Sequence, residues 1–449
     1  MEKIKPRTLS GFMELLPAQQ VYFDAMARKL RDSFSLYGFT SLDTPLMEAA
    51  EILLAKGGGE TEKQIYLLRK SDTDLALRYE LTTSLAKYVT MNYSSLSFPF
   101  RRYEIGKVYR GERAQRGRFR EFYQADIDII GDGALDVFNE AEIPGVIYKC
   151  FTSLGLERFV IRINNRKALS GFFEIVGVGG ADTGVMRVVD KLEKIGAEKL
   201  ISALVDDFGL AKSQADEIVD FMTYPGDPFD ILDKYRGRNE TFDVGADELR
   251  AVSRHMKGFG VPDSHFKIDL SIARGLDYYT GTVYETYLTD YPQVGSVCSG
   301  GRYDNLAEFF TDRTMPGVGI SIGLTRLFFI LQEQGLLSGA ALTAPADVLI
   351  IPMTDDLSHS VTLATSMREA GLRVQVYTEK KKFKARLYYA DKLGVPFVVF
   401  LGEDEIDRGS ITVKNMSTGE QTTASAGILT AGIVEKVKAL RDGPLLKNV

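Results

Sequence analysis

The sequence contains very few of the side chains that form disulfide or metal scaffolds. It has two cysteines, Cys150 and Cys298, and only three histidines scattered along 449 residues. This excludes a disulfide framework and a cysteine-based zinc finger, and it argues against a His-rich metal site. No apolar run approaches the roughly 18 residues of a membrane span, and residues 1–17 lack a hydrophobic signal region. We therefore expect a reduced, cytoplasmic protein with no membrane partner.

Sequence motifs of several enzyme classes are also missing. The chain has no P-loop, no complete dinucleotide fingerprint, no His-Glu-x-x-His and no plausible Cys/His pair. The 55 Lys and Arg against 61 Asp and Glu give a net charge of −6, which excludes a histone-like polycation but permits a local basic groove. Any nucleotide chemistry here therefore needs another phosphate-binding device.

Hydrophobic periodicity divides the chain into five segments. The first and third mix strand and helix patterns, the second is acidic and helical, the fourth is a Gly/Ala-rich linker, and the fifth alternates strands with helices. Their predicted bounds are 1–165, 166–262, 263–332, 333–345 and 346–449. We expect a mixed α+β catalytic domain interrupted by a helical insertion, followed by a small α/β domain around a largely parallel core.

Individual elements follow from the same patterns. A helix is predicted over residues 21–38, and two strands over 103–109 and 122–131 flank a charged hairpin. Further strands are predicted over 159–163, 266–270, 282–288, 295–299, 348–352, 373–377 and 397–401.

Arginine is the candidate phosphate ligand. The hairpin holds Arg110, Arg113, Arg116, Arg118 and Arg120. A guanidinium binds phosphate oxygens bidentately and stays charged, so it suits a triphosphate. Strand alternation places Arg118 and Arg120 on one face with Phe122 and Gln124, and an aromatic ring beside arginines can stack on adenine. The alternative is a solvated, ion-paired hairpin.

Two later segments combine arginine, glycine and tyrosine. Residues 273–282 (ARGLDYYTGT) suit a small polar ligand that the backbone approaches closely, or else form a turn with surface tyrosines. Residues 299–304 (SGGRYD) are followed by glycines at 317, 319 and 323 and by Arg326 at a predicted helix start. A cation is disfavoured there, so we expect Arg326 to serve a ligand anion; the alternative is a surface arginine.

Together these segments resemble the class II aminoacyl-tRNA synthetases, and within them the histidyl-tRNA synthetase family. Residues 42–46 (LDTPL) resemble the dimer-forming motif 1, residues 110–124 motif 2, and residues 319–326 motif 3. Residues 274–279 (RGLDYY) and 300–304 (GGRYD) resemble the two signatures peculiar to the histidine enzymes. Departures include the eukaryote-like RYELT at 78–82, Ala114 in place of a usual proline, and Ser299 in place of a usual glycine.

The resemblance implies roles for particular residues. It implies a histidine site made by Glu80, Leu81, Thr82, Arg110, Gln124, Asp128, Arg274, Tyr278 and Tyr279, with Asp128 and Tyr278 reading the imidazole. It implies an ATP site made by Arg110, Glu112, Arg118, Phe122 and Arg326. Arg110 and Arg274 are the implied catalytic pair at the α-phosphate.

The resemblance also implies the reaction and the partners. We expect a homodimeric histidine–tRNA ligase that forms histidyl-adenylate from ATP and then transfers histidine to the 3′ end of its tRNA. Mg²⁺ is expected through the ATP phosphates, with no protein metal site and no prosthetic group, and residues 346–449 are expected to bind the anticodon. The alternatives are an inactive regulatory subunit of ATP phosphoribosyltransferase and a histidine or RNA sensor without turnover.

Overall fold

The computed structural model describes residues 3–55, 62–113, 115–178, 183–273, 279–337, 343–441 and 445–446. The helices are α1 Pro17–Leu36, α2 Ala50–Leu54, α3 Thr82–Met91, α4 Phe138–Leu154, α5 Arg166–Ile175, α6 Thr183–Val189, α7 Leu192–Ile195, α8 Ala197–Asp206, α9 Lys212–Met222, α10 Pro228–Tyr235, α11 Glu240–Gly258, α12 Leu324–Glu333, α13 Ser358–Glu369, α14 Phe383–Leu393, α15 Glu403–Asp407 and α16 Ala426–Arg441. Among the described residues, no helix is both long and apolar enough to span a membrane.

The strands belong to three sheets. They are β1 Thr40–Ser41, β2 Met47–Ala49, β3 Leu67–Lys70, β4 Thr73–Leu77, β5 Phe100–Tyr109, β6 Glu121–Ile130, β7 Phe159–Asn165, β8 Phe266–Ile268, β9 Thr282–Leu288, β10 Cys298–Tyr303, β11 Gly317–Ile322, β12 Val348–Pro352, β13 Val374–Val376, β14 Phe397–Leu401, β15 Ser410–Asn415 and β16 Gln421–Ser425. The chain divides into two compact units, one containing Ala27–Gln334 and the other Glu14–Met26 with Gly335–Asn448.

An eight-stranded sheet organises the larger unit. Its order is β1-β5-β6-β11-β10-β9-β7-β8, antiparallel except for the parallel pairs at its two edges. The predicted hairpin is confirmed, because β5 and β6 pair over ten residues, from Phe100 opposite Ile130 to Tyr109 opposite Glu121. The predicted strand over 295–299 is misplaced. Gly295 has φ of +75°, a left-handed conformation that no extended strand adopts, and β10 begins only at Cys298.

One face of this sheet carries two rows of cross-strand neighbours. Reading from β9 to β5, the first row is Glu285, Ser299, Ser321, Asp126 and Glu104, and the second is Val283, Gly301, Gly319, Asp128 and Arg102. Directly opposed residues on adjacent strands point to the same face. The register therefore brings polar groups from five strands into one patch, and the glycines of the second row leave room above it.

The helices predicted for residues 166–262 are present as α5 to α11. Two glycines allow α5 and α11 to pack closely: a Cβ at Gly171 would lie 2.4 Å from the backbone nitrogen of Phe242, and one at Gly245 would lie 2.1 Å from that of Ala168. Asn165 caps α5 by accepting hydrogen bonds from the amides of Lys167 and Ala168. These helices belong to the same compact unit as the large sheet, and the bounds of a separate insertion domain stay a prediction.

The smaller unit contains a five-stranded sheet of order β13-β12-β14-β15-β16. Strands β13, β12 and β14 are parallel, and β15 and β16 add an antiparallel hairpin at one edge. Helices α13 and α16 pack on the sheet through a core that includes Val348, Met367, Val399 and Ile433. The predicted α/β architecture with a largely parallel core is confirmed.

Candidate active site

Two adjoining cavities open on the polar face of the large sheet. The first has a volume of about 320 Å³ and the second about 280 Å³. Four residues line both: Arg110, Gln124, Ser299 and Ser321. A ligand in one cavity would therefore lie directly beside a ligand in the other, with Arg110 within reach of both.

The floor of the first cavity comes from the middle strands of the sheet. Gln124, Asp126 and Asp128 occupy alternate positions of β6, so their side chains share one face. Gly319 stands opposite Asp128, and a Cβ at this glycine would lie 2.2 Å from Asp128 Oδ1 and 2.4 Å from the carbonyl oxygen of Ile127. Glycine is therefore required at position 319 if Asp128 is to keep its place.

Asp128 is held by two buried partners. Arg102 Nη2 lies 2.8 Å from Asp128 Oδ2, and Tyr303 donates a hydrogen bond of 2.6 Å to Asp128 Oδ1. Burial raises the pKa of Asp128 to about 6, although the Arg102 charge and the Tyr303 hydrogen bond oppose this shift. The carboxyl group is thus oriented from below, and it gains its charge near neutral pH.

The ion pairs continue beneath the cavity. Arg78 is 1 % exposed, and it donates hydrogen bonds to Glu104 Oε1 (2.7 Å), to the carbonyl oxygens of Thr44 (2.6 Å) and Lys107 (2.7 Å), and to Thr44 Oγ1. Glu104 also lies 3.9 Å from Arg102. Because these charged groups are all buried, each depends on its partners to offset the cost of leaving water.

The mouth of the first cavity is formed at the start of α3. The Glu80 carboxylate accepts hydrogen bonds from the amide of Thr82 (2.5 Å) and from the amide of Thr83 (2.8 Å), as a capping group does. Glu80 and Thr82 line the cavity together with Tyr79. An acidic side chain is thereby fixed at the edge of a pocket whose floor is also acidic, an arrangement suited to a ligand with a cationic group.

The second cavity combines arginines with an aromatic ring. Arg110, Glu112, Arg118, Phe122 and Arg326 all line it. The Arg110 guanidinium lies 4.4 Å from the Tyr79 ring centroid and 5.1 Å from that of Phe122. Cations beside a flat apolar ring suit a ligand that joins phosphates to an aromatic base.

Arg326 lies in the first turn of α12, where its Nη1 donates to the carbonyl oxygen of Ser296 at 3.0 Å and Nη2 to that of Val294. Arg118 lies 3.8 Å from Glu112. Arg120 departs from the sequence-based expectation: it donates to the carbonyl oxygen of Glu112 and is absent from both linings, because β6 begins only at Glu121 and alternation does not extend back to it.

The structure brings most of the predicted site residues together. The first cavity contains Glu80, Thr82, Arg110, Gln124, Asp128 and Tyr279, and the second contains all five residues of the predicted ATP site. Leu81 is the residue immediately before α3. Its side chain is fully buried, and it lines neither cavity. Arg274 and Tyr278 lie outside the described residues.

Sequence reasoning assigned no role to several other residues of the first cavity, among them Asp126, Ser321 and Tyr303. Asp126 had a detectable signal, because it stands midway between Gln124 and Asp128 on the same strand face. Tyr303 belongs to the GGRYD segment that was singled out, but its contact with Asp128 joins residues 175 positions apart. Such a pairing follows only from the strand order.

Comparison with known proteins identifies the family. A family model described as histidyl-tRNA synthetase matches residues 11–327, and one described as an anticodon binding domain matches residues 347–436. The chain belongs to the histidyl-tRNA synthetase family. It is 52% identical to a histidine–tRNA ligase from Clostridium tetani, covering 94% of this chain and 96% of that protein. It is 44% identical to one from Finegoldia magna, covering 97% and 100%.

Solved structures agree with membership of the histidyl-tRNA synthetase family. A histidyl-tRNA synthetase from Nostoc sp. PCC 7120 superimposes with a TM-score of 0.87 at 38% identity, covering 97% of this chain and 100% of that one. A Bacillus halodurans protein described as an ATP phosphoribosyltransferase regulatory subunit/histidyl-tRNA synthetase superimposes with a TM-score of 0.72 at 20% identity, covering 89% and 99%. The second likeness shows a shared fold alone. The class II catalytic architecture expected from the sequence is confirmed.

Proposed function

We propose that this chain is a histidine–tRNA ligase, which activates L-histidine with ATP and transfers the histidyl group to the 3′ end of its tRNA. Membership of the histidyl-tRNA synthetase family supports the activity. The observation that carries the proposal is the position of Arg110 between an acidic cavity and a cavity with arginines and an aromatic ring. Two substrates bound there would meet at one guanidinium.

The first cavity is assigned to histidine. Glu80 and Thr82 are at its mouth and suit the α-amino group, and Gln124 and Tyr279 add polar contacts along its wall. Asp128 lies at the floor, where an imidazole N–H can donate to its carboxylate. Arg274 and Tyr278 keep the roles that the family resemblance implies, the first at the α-phosphate and the second beside the imidazole.

The second cavity is assigned to ATP. Phe122 offers a ring for adenine to stack on, Glu112 lies near the base, and Arg118 and Arg326 suit the phosphates. Among the described residues, no group of three Asp, Glu, His or Cys side chains is placed to hold a metal ion. As the family resemblance implies, Mg²⁺ would bind through the phosphates of ATP and would neutralise part of their charge.

The chemistry requires no protein nucleophile. A histidine carboxylate oxygen forms a bond to the α-phosphorus of ATP, and the bond from that phosphorus to the β-bridging oxygen breaks, with its electron pair leaving on pyrophosphate. Arg110 holds the carboxylate and the α-phosphate together and neutralises the charge that develops between them. The 3′-terminal ribose hydroxyl of the tRNA then attacks the activated carbonyl, and AMP leaves.

The smaller unit is assigned to the tRNA anticodon. The anticodon-binding family model matches residues 347–436 of it. Lys380, Lys381 and Lys382 precede α14 and are exposed, and Phe383, also exposed, begins that helix. Positive charges with an interleaved aromatic ring suit a phosphate backbone and an unstacked base. We further propose a C₂ homodimer, built through residues 42–46 as the motif 1 resemblance implies, that acts in the cytoplasm.

The regulatory and sensor alternatives are not favoured. Arg110, Arg118 and Arg326 all line the second cavity, and the sequence has Arg274 and a match to the anticodon-binding domain over residues 347–436. A regulatory subunit or sensor without turnover has no need of an intact arginine set at a triphosphate site.

Charging of tRNA tests the proposed function directly. Purified protein, ATP and Mg²⁺ are incubated with total bacterial tRNA and each labelled amino acid in turn. We expect labelled histidine alone to become acid-precipitable with the tRNA, and this incorporation to require ATP. Incorporation of a different amino acid, or of none, would contradict the proposal.

The pH dependence of the reaction reports the ionisation of Asp128. Because the pKa of this carboxyl is raised to about 6, we expect kcat/KM for histidine to fall as the pH drops through 6, where Asp128 takes up a proton and no longer accepts well. Histidine itself titrates near 6.5. The triazole analogue of histidine, whose ring is a far weaker base, separates the two effects: its profile should keep the fall near pH 6. A flat profile with the analogue would contradict the assignment of Asp128.

Replacing Gly319 by alanine should displace Asp128. The new Cβ would lie 2.2 Å from Asp128 Oδ1. It would also lie 2.4 Å from the carbonyl oxygen of Ile127, so the Cβ cannot relieve the clash by shifting toward that strand. We expect the KM for histidine to rise about tenfold or more, in line with a misplaced hydrogen-bond partner, and the KM for ATP to stay within about threefold. Gly258→Ala is the matched control, because nothing lies within 4 Å of a Cβ at that helical glycine. An unchanged KM for histidine in Gly319→Ala would refute the expected clash.

A further inference from the structure

Arg302, the arginine of the GGRYD segment, is buried on the side of the large sheet away from the two cavities. It alternates along β10 with Tyr303, which lines the first cavity, and it lines neither cavity itself. Its side chain is 13 % exposed. Nη1 donates to Glu140 Oε1 of α4 at 2.7 Å and to the carbonyl oxygen of Leu135 at 2.9 Å, and Nε donates to Asp304 Oδ1 at 2.9 Å. These contacts hold a charged side chain in one place although it reaches no substrate cavity.

The same groups hold the stretch of chain that leads into β9. The amide of Thr280 donates to the carbonyl oxygen of Arg302 at 2.8 Å, and the Thr280 hydroxyl donates to Asp304 Oδ2. Glu140 is fully buried, and while its Oε1 accepts from Arg302, its Oε2 accepts from the amide of Thr282 at 3.3 Å. Because Arg302 orients both carboxylates, removing its guanidinium would loosen the chain at both threonines.

Tyr279 comes directly before this stretch and lines the first cavity. Its ring lies against the backbone of β10, because a Cβ at Gly301 would lie 3.0 Å from the ring atom Cδ1. A Cβ at Gly281 would lie 2.8 Å from Arg302 Cδ, so the backbone at residue 281 rests on the arginine side chain. The chain that carries Tyr279 is therefore held from one face of β10 while its ring packs on the other.

We propose that Arg302 is a positioning residue, which fixes Tyr279 in the wall of the first cavity by holding residues 280–282. The inference deepens the proposed function and rests on it, because it assumes that histidine occupies this cavity. Tyr279 does not line the second cavity, and neither do residues 280–282. Loss of Arg302 should therefore weaken the binding of histidine and leave the binding of ATP almost unchanged.

The KM values for histidine and ATP, measured by ATP–pyrophosphate exchange, test the inference in single and double variants. For Arg302→Met we expect the KM for histidine to rise about tenfold, as for a lost hydrogen-bond partner of the ligand, and the KM for ATP to stay within about threefold. Tyr279→Ala should also raise the KM for histidine. Adding Arg302→Met to Tyr279→Ala should raise it by less than about threefold more, because the arginine acts through the tyrosine. Arg302→Lys keeps a charge beside Glu140 and should raise the KM for histidine by no more than about threefold.

Arg101→Met is the matched control. Arg101 also reaches α4 from the sheet, where its Nη2 donates to Glu142 Oε2 at 2.6 Å, and its side chain is 22 % exposed. It lines neither cavity. Arg101→Met and Arg302→Met each break an ion pair with α4, so both should lower the free energy of unfolding, measured by urea denaturation. Only Arg302→Met should raise the KM for histidine.

The contrary outcomes distinguish this inference from the proposed function. If Arg302→Met leaves the KM for histidine unchanged, raises it no more than Arg101→Met does, or adds its full effect to that of Tyr279→Ala, the positioning role is wrong while the ligase activity stands. If Arg302→Met does not fold, Thr280→Val, which removes only the hydroxyl contact to Asp304, decides: a rise of about threefold in the KM for histidine supports the role, and no rise refutes it. If the unchanged protein shows no histidine-dependent exchange, both proposals are wrong.

Discussion

Arg110→Ala is expected to lower the rate of histidine adenylation by about 10²- to 10³-fold, the effect of losing one charged donor at a developing charge. Arg110 lines both cavities, so a single substitution removes the group that both substrates share. The loss should appear in kcat, because the guanidinium is needed most when charge is transferred between the carboxylate and the phosphate. Fold and stability should change little, since the hydrogen bond that Arg110 Nε donates within the described part of the chain is a long one of 3.4 Å to the carbonyl oxygen of Tyr79.

Arg116→Ala provides the control for this experiment. Arg116 belongs to the same arginine-rich loop, but its side chain is 75% exposed and pairs with Glu333 at 2.8 Å, outside both cavities. ATP–pyrophosphate exchange with histidine should therefore proceed at the unchanged rate in Arg116→Ala. Equal losses in the two variants would mean that general positive charge in the loop, and not the position of Arg110, promotes the reaction.

Arg78→Met should have the largest effect on stability. The substitution leaves Glu104 buried without its 2.7 Å ion pair and removes hydrogen bonds to Thr44 and Lys107. Breaking one side of a buried pair costs about 3–5 kcal/mol, because the remaining charge is uncompensated. We expect the free energy of unfolding of the larger unit to fall by about that amount, measured by urea denaturation followed with a spectroscopic probe in that unit.

Two further variants separate the charge effect from the loss of packing. Arg78→Met combined with Glu104→Gln removes the unpaired negative charge of Glu104, so part of the lost free energy of unfolding should return. Arg69→Met breaks the exposed pair between Arg69 and Asp74, which are 3.7 Å apart and about three-quarters exposed, and should cost no more than about 1 kcal/mol. Similar losses in the free energy of unfolding for Arg78→Met and Arg69→Met would show that the buried ion pair contributes no more to stability than the exposed one.

Local patterns in the sequence were sufficient to predict most of the individual helices and strands. The β5–β6 hairpin follows from alternating apolar residues on either side of a charged turn, and the α/β order of the smaller unit follows from strands separated by helices of regular length. The five arginine, glutamate and phenylalanine positions assigned to ATP lie on or beside one hairpin and the β11–α12 junction, so short-range motifs identify them. Residues that lie close together in the sequence can be assigned to one site without knowledge of the tertiary structure.

The order of the strands across the sheet could not be predicted from local sequence patterns. Asp126, Ser321 and Ser299 become neighbours only because β6, β11 and β10 lie side by side, although the chain separates them by long segments. The contacts from Arg78 to Glu104 and from Tyr303 to Asp128 likewise depend on tertiary packing. The sequence also offered no sign that β10 starts at Cys298, because the left-handed turn at Gly295 competes with an otherwise extended pattern.

The most direct test of the account is ATP–pyrophosphate exchange measured with each of the twenty amino acids separately. An acidic cavity with carboxyl groups for an imidazole, joined by Arg110 to a triphosphate site, predicts exchange with histidine alone. The purified protein, ATP, Mg²⁺ and labelled pyrophosphate are sufficient for the assay. Exchange that is absent with all twenty, or present with a different amino acid, would contradict the account.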